Sequence, residues 1–121
     1  MEKSEFVESI KKRTKQLAVD IILLYDEIQK TEATRVIGRQ LIRSATSTAA
    51  NYRAACISRS KKEFFSKMSI VVEEADETLF WLEILNDSNL VSVEHLTPLM
   101  NEALEIVKIV SKARKSTGTI N

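Results

Sequence analysis

The chain has 121 residues, of which 44% are hydrophobic and 29% charged, a composition that fits one globular domain and excludes a disordered or membrane-embedded chain. With 18 Lys and Arg against 17 Asp and Glu, its formal net charge is only +1. No apolar run approaches the ~20 residues of a membrane-spanning helix, and the charged start, Met1 to Glu5, lacks a signal-peptide core, so we expect a cytoplasmic protein.

The first two amphipathic segments predict two long helices. The first runs from about Ser4 to Lys30, with the Ser4 hydroxyl as the expected N-cap. Its apolar stripe has a/d spacing: Phe6, Ile10, Leu17, Ile21, Leu24 and Ile28. The second runs from about Thr34 to Ile57, and its inward positions are Ile37, Leu41, Ala45, Thr48, Tyr52 and Ala55. Because several of these residues are small, we expect a neighbouring helix to approach closely.

The second half of the chain predicts two more helices. Ser60 and Glu63 have capping-box spacing and begin a helix from about Lys61 to Asn86. Its main stripe is Phe64, Met68, Val71, Ala75, Leu79 and Leu82. The fourth helix spans about Ser92 to Lys115, with Leu96, Met100, Ala103, Val107 and Val110 inward. Either Thr97 caps it with Pro98 at the first position, or Ser92 begins it and its first turns accommodate the proline.

Four long amphipathic helices with short connections predict an all-α fold, an antiparallel up-down-up-down four-helix bundle. The chain has only two Gly and one Pro, so few turns are expected, and no alternating strand pattern occurs. Residues 1–115 would form this single domain, and residues 116–121 a flexible tail.

The small net charge conceals two oppositely charged stretches. Between Glu32 and Glu63 the chain has seven basic residues and no acidic one: Arg35, Arg39, Arg43, Arg53, Arg59, Lys61 and Lys62. Between Lys67 and Lys108 it has nine acidic residues and no basic one: Glu73, Glu74, Asp76, Glu77, Glu83, Asp87, Glu94, Glu102 and Glu105. The two stretches either pair with each other, within or between subunits, or bind other partners.

The arginines of the second helix share one face. At 100° per residue, Arg35, Arg39, Arg43 and Arg53 fall within about 80° of one another, opposite the apolar face. Without interleaved acids these like charges repel, which suggests an anionic partner. Three interpretations stay open: a solvated surface, the carboxylates of a protein partner, or the phosphates of a nucleic acid.

The third helix carries a second stripe away from its core face: Ile70, Glu73, Glu77, Trp81 and Ile84. A single layer of four helices has no second core, so Ile70, Trp81 and Ile84 would be exposed and form a subunit interface. Arginines would then meet Glu73 and Glu77 across that interface. The alternative is that Trp81 covers a loop or neighbouring helix of its own chain. We favour a homo-oligomer.

Residues suited to catalysis or metal binding are scarce. The acidic run from Glu73 to Glu77 resembles part of a di-iron site, but that chemistry needs two Glu-x-x-His motifs, and His95 is the only histidine. Cys56 has no histidine nearby in sequence and is better explained as a structural thiol than as a nucleophile. No glycine-rich phosphate loop is present. We therefore expect no enzyme activity, no metal, no cofactor and no small-molecule substrate.

The second and third helices resemble a known family. The stretch from Gly38 to Ser47, the segment from Asn51 to Cys56, and Lys62-Glu63-Phe64 are similar to proteins encoded in intervening sequences of 23S ribosomal RNA. Residues 73–78 and 81–83 match the third helix of that family. The resemblance implies an antiparallel four-helix bundle that assembles as a homopentameric ring. It also implies kinship with the accessory proteins of diversity-generating retroelements, which bind nucleic acid.

Taken together, these features predict a non-enzymatic oligomeric bundle that accompanies RNA or DNA and contacts it through the seven basic residues. The alternative is an oligomeric scaffold or protein-interaction module whose arginines are engaged in subunit contacts.

Overall fold

The computed structural model describes residues 2–120, and side chains as far as Ser116. Over this range it contains four α-helices and no strand: α1 (Lys3–Glu27), α2 (Glu32–Ala55), α3 (Lys61–Asp87) and α4 (Val93–Ile120). The predicted all-α fold and its four helices are confirmed. None of these helices, as far as residues are described, is long and apolar enough to cross a membrane.

The four helices pack around one apolar core. Helix α2 contacts α1 and α3, and α4 likewise contacts α1 and α3. Halfway along the helices, the core residues are mostly small: Thr14, Leu17, Ala45, Thr48, Ala75, Thr78, Ala103 and Ile106 surround a cavity of about 10 Å³. Larger side chains, including Ile10, Ile21, Leu41 and Met68, are fully buried. The helices therefore approach closely in the middle, as the alanines of α2 predicted.

The inward positions predicted for α2 are all buried in the structure. On the other helices most predicted core residues are buried or partly buried. Phe6 is the exception, because its side chain is 41% exposed and lies beside a groove at one end of the molecule. The first turn of α1 extends past the body of the core there, so a correct helical face does not bury this residue.

The cap predicted for α3 is confirmed, α2 has a cap that was not predicted, and the cap predicted for α1 is wrong. The Ser60 hydroxyl accepts from the backbone N–H of Glu63 (3.0 Å), as predicted, whereas the Glu63 carboxylate accepts from the N–H of Arg59 (2.8 Å). At α2, Thr31 forms a capping box with Thr34. The prediction of Ser4 as the cap of α1 is wrong, because Lys3 is already helical and the extended Glu2 is the N-cap residue.

The start of α4 settles the position of Pro98. The Ser92 carbonyl accepts the N–H groups of His95 (3.1 Å) and Leu96 (3.2 Å), and the helix begins at Val93. Pro98 therefore lies inside α4, which accommodates it as in the second alternative. The helix continues to Ile120, beyond the predicted end at Lys115. Asn121, the last residue of the predicted tail at 116–121, lies outside the described residues.

Candidate functional site

All seven candidate basic residues are exposed, and six of them lack the interhelical ion pairs that the seventh, Arg43, makes: Arg35, Arg39, Arg53, Arg59, Lys61 and Lys62. Among these six residues only Arg59 has an acidic neighbour. Its Nε lies 3.8 Å from the Glu63 carboxylate, and the Arg59 side chain is 91% exposed. Within the described side chains the other five form no ion pair, so their charges are available to an anion.

Arg43 differs from the other six because its guanidinium makes close hydrogen bonds to carboxylates on another helix of its own chain. Its Nη1 donates to Glu74 (2.9 Å) and its Nη2 to Glu77, both on α3. These bonds, with that to Glu77 contributing most, raise the pKa of Arg43. The sequence indicated that arginines of this face would meet Glu73 and Glu77 of a neighbouring subunit. In the structure, Arg43 instead meets Glu74 and Glu77 from α3 of the same molecule.

Trp81 belongs to the same cluster. Its Nε1 donates to Glu77 (3.0 Å), and this bond, together with that from Arg43, lowers the pKa of the Glu77 carboxyl. Trp81 is half-buried and packs against the core, which agrees with the alternative that it covers a neighbouring part of its own chain. Ile84 is half-buried in the same way. Both were expected to be exposed, but both pack against the apolar core of their own chain.

The exposed part of the α3 face is smaller than predicted and includes a residue that was missed. Ile70 is 44% exposed and Glu73 is exposed, as expected for an interface. Phe80 is 48% exposed and makes an edge-on contact with the Trp81 ring, with 5.0 Å between centroids. Its position beside Trp81 on the outer side of α3 was visible in the helical pattern. The subunit interface itself stays a prediction.

A basic groove between α1 and α2 was not predicted. It has a volume of about 560 Å³ and is lined by Glu8, Lys11, Lys12, Lys15, Ala18, Val19, Ile22, Thr46, Ala49, Ala50 and Arg53. Lys11 pairs with Glu8 at 3.1 Å, whereas Lys12, Lys15 and Arg53 form no ion pair within the described side chains. Acidic residues are interspersed with these lysines in the first twenty positions, so the search for stretches of one charge sign along the sequence did not detect them.

The residues considered for catalysis are dispersed. Among the described residues no three His, Cys, Asp or Glu side chains are grouped so as to hold a metal ion. His95 shares a hydrogen bond of 2.8 Å with the Ser92 hydroxyl at the start of α4. Cys56 is half-buried beside Tyr52, and burial raises the pKa of its thiol. A raised pKa leaves less thiolate at neutral pH, which disfavours a nucleophilic role.

Comparison with known proteins places the chain in a family. The model of the 23S rRNA-intervening sequence protein family matches residues 8–112. The chain belongs to this family. A crystal structure of a protein with unknown function from the S23 ribosomal protein family of Bacteroides thetaiotaomicron is similar to it, with a TM-score of 0.81 and 31% sequence identity over 90% of this chain and 97% of that chain. No curated protein matches significantly. The predicted family is thus confirmed.

Proposed function

We propose that this protein is a non-enzymatic, oligomeric four-helix bundle that accompanies RNA or DNA in the cytoplasm and contacts its phosphates. The observation that carries the proposal is the set of exposed cations without carboxylate partners, of which Arg35, Arg39 and Arg53 lie on one helix. Phosphate oxygens are the natural partners of such side chains, and contacts to them supply most non-specific nucleic-acid affinity. The predicted kinship with retroelement accessory proteins, which bind nucleic acid, points the same way.

The proposed bundle has up-down-up-down topology. The helix termini support it. The start of α1, the end of α2, the start of α3 and the C-terminal part of α4 line one groove, as alternation of direction requires.

The proposed assembly is a homo-oligomer, a pentameric ring by resemblance to the family. Ile70 and Phe80 on α3 and Leu104 on α4 are each more than 40% exposed, and Glu73 lies among them on α3. Exposed apolar side chains next to charged ones are typical of protein interfaces. A second copy of the chain would cover them.

The alternative function is a scaffold without a nucleic-acid role. The network of Arg43, Glu74, Glu77 and Trp81 favours it in part, because it shows that basic and acidic stretches of this chain recognise each other. In a scaffold the remaining cations would meet acidic residues of a second subunit or of another protein.

The test is binding of the purified protein to labelled oligonucleotides over a series of salt concentrations. Phosphate contacts give a log-linear fall of affinity with salt, with a slope of about −0.7 to −0.9 per contact. The nucleic-acid proposal predicts such a slope with several contacts. Absence of binding at low salt, with the oligomer intact by light scattering, would leave the scaffold.

A further inference from the structure

One end of the molecule gathers termini from all four helices. A groove there is lined by residues of every helix, among them Lys3 of α1, Tyr52 of α2, Phe64 of α3 and Ala113 of α4. At the other end, Ile28, Thr34 and Leu85 lie together around a separate small cavity. The first half of α1 therefore lies beside the last turns of α2, although more than twenty residues of sequence separate them.

This arrangement collects positive charge that is dispersed along the sequence. The half of the molecule that includes this end contains most of the basic residues: Lys3, Lys11, Lys12, Arg13, Lys15, Arg53, Arg59, Lys61, Lys62, Lys67, Lys108, Lys112, Arg114 and Lys115. Acidic residues there are fewer and include Glu2, Glu5, Glu8 and Glu63, of which Glu8 pairs with Lys11 and Glu63 with Arg59 and Lys67. Positive charge is therefore concentrated in this half, whereas the acidic residues of the helix connections, such as Glu27, Glu32 and Asp87, lie at the other end.

We infer that the α1–α2 groove, which runs from mid-height towards this basic end with Lys12 and Lys15 on one side and Arg53 on the other, is where the phosphodiester backbone of a nucleic acid binds. This inference rests on the proposed function and locates the nucleic-acid contact in the α1–α2 groove. Lys12 and Lys15 are neighbours on one face of α1, and the groove sets them opposite Arg53. Cations on both sides can contact the same backbone from two directions.

The lining of the groove defines the mode of binding. Its floor includes Ala18, Ala49 and Ala50, whose small side chains let a sugar-phosphate chain approach the helix backbones. No aromatic side chain is among the described residues that line it, so bases have no stacking platform. Contacts restricted to phosphates read neither the base sequence nor the sugar 2′-hydroxyl that distinguishes RNA from DNA. Single-stranded RNA and DNA of the same sequence should therefore bind with similar affinity.

The experiment compares two matched double variants on both oligonucleotides. Lys12→Ala/Lys15→Ala removes two charges of α1 that line the groove. Lys108→Ala/Lys112→Ala removes two charges from the exposed side of α4, whose described residues do not line the groove. The first variant should reduce the magnitude of the salt slope by about 1.4 to 2, because each lost phosphate contact contributes about 0.7 to 1. The second should cause a clearly smaller change.

A third variant, Arg53→Ala, examines the opposite side of the groove and should weaken RNA and DNA binding alike. Circular dichroism confirms folding of each variant. If the wild type binds but the Lys108/Lys112 variant loses as much slope as the Lys12/Lys15 variant or more, this inference fails while the proposed function stands. If the wild type binds neither oligonucleotide, both fail. A Lys12/Lys15 effect restricted to RNA or to DNA would also overturn the inference.

Discussion

Gly38 provides a sharp test of how α1 meets α2. A Cβ atom at this position would overlap Cδ1 and Cε1 of the Tyr25 ring, which lies across the helix at this point. Tyr25 is half-buried, with the Lys30 ammonium 4.7 Å from its ring centroid. The substitution Gly38→Ala must therefore displace the ring or separate the two helices.

The expected effect is a balance of two terms. Replacing a glycine inside a helix by alanine is worth about 1 kcal/mol of intrinsic helix preference. Overpacking a close contact costs about 1–3 kcal/mol, so Gly38→Ala should be neutral to destabilising by about 2 kcal/mol. Once Tyr25→Ala has removed the ring, the packing cost disappears and Gly38→Ala should stabilise by up to about 1 kcal/mol. The sign of the substitution reverses between the two backgrounds.

The measurement is chemical denaturation of the wild type, both single variants and the double variant, analysed as a double-mutant cycle. A coupling energy of at least about 1 kcal/mol between positions 25 and 38 is expected from the packing term. If Gly38→Ala raises the stability of the wild type as much as it raises that of the Tyr25→Ala variant, the ring does not lie against Gly38 and the α1–α2 packing described above is wrong.

Three further predictions address the core, the surface and a polar cluster. Ala45 is buried beside a cavity of about 10 Å³, so Ala45→Leu should destabilise by about 1–3 kcal/mol and lower the melting temperature, and an unchanged melt would contradict this packing. Ile70→Glu should dissociate the proposed oligomer in light scattering and leave the helical circular dichroism intact, and a wild type that is already monomeric would refute the interface. Arg43→Met should destabilise by only about 0–1 kcal/mol near neutral pH, because its side chain is 47% exposed. The pKa of Glu77 is lowered in the folded state, so the loss of stability caused by Arg43→Met should be present above about pH 4.3, the ordinary pKa of a glutamate. This loss should shrink as the pH falls through the lowered pKa of Glu77 in the folded protein. A loss of stability that grows in acid would contradict the pairing.

The sequence was informative about each helix taken separately. Apolar spacing identified the inward face of α2 in full, and Ser60 with Glu63 located the start of α3, because both depend on contacts within a few residues along the chain. Helix ends were less predictable. The predicted cap at Ser4 and the predicted helix end at Lys115 were wrong, because no local signal marks where a helix begins or ends when side-chain caps are absent.

The tertiary structure decided which faces and which ends meet. A helical pattern identifies which side of α3 carries Glu77 and Trp81. It does not show that Arg43 of α2 binds Glu77, because that contact depends on how α2 is rotated and how closely it packs against α3. The same holds for the groove that joins Lys12 and Lys15 to Arg53, residues about forty positions apart. Periodicity along one helix carries no information about its neighbour's position, and packing of complementary side chains supplies it.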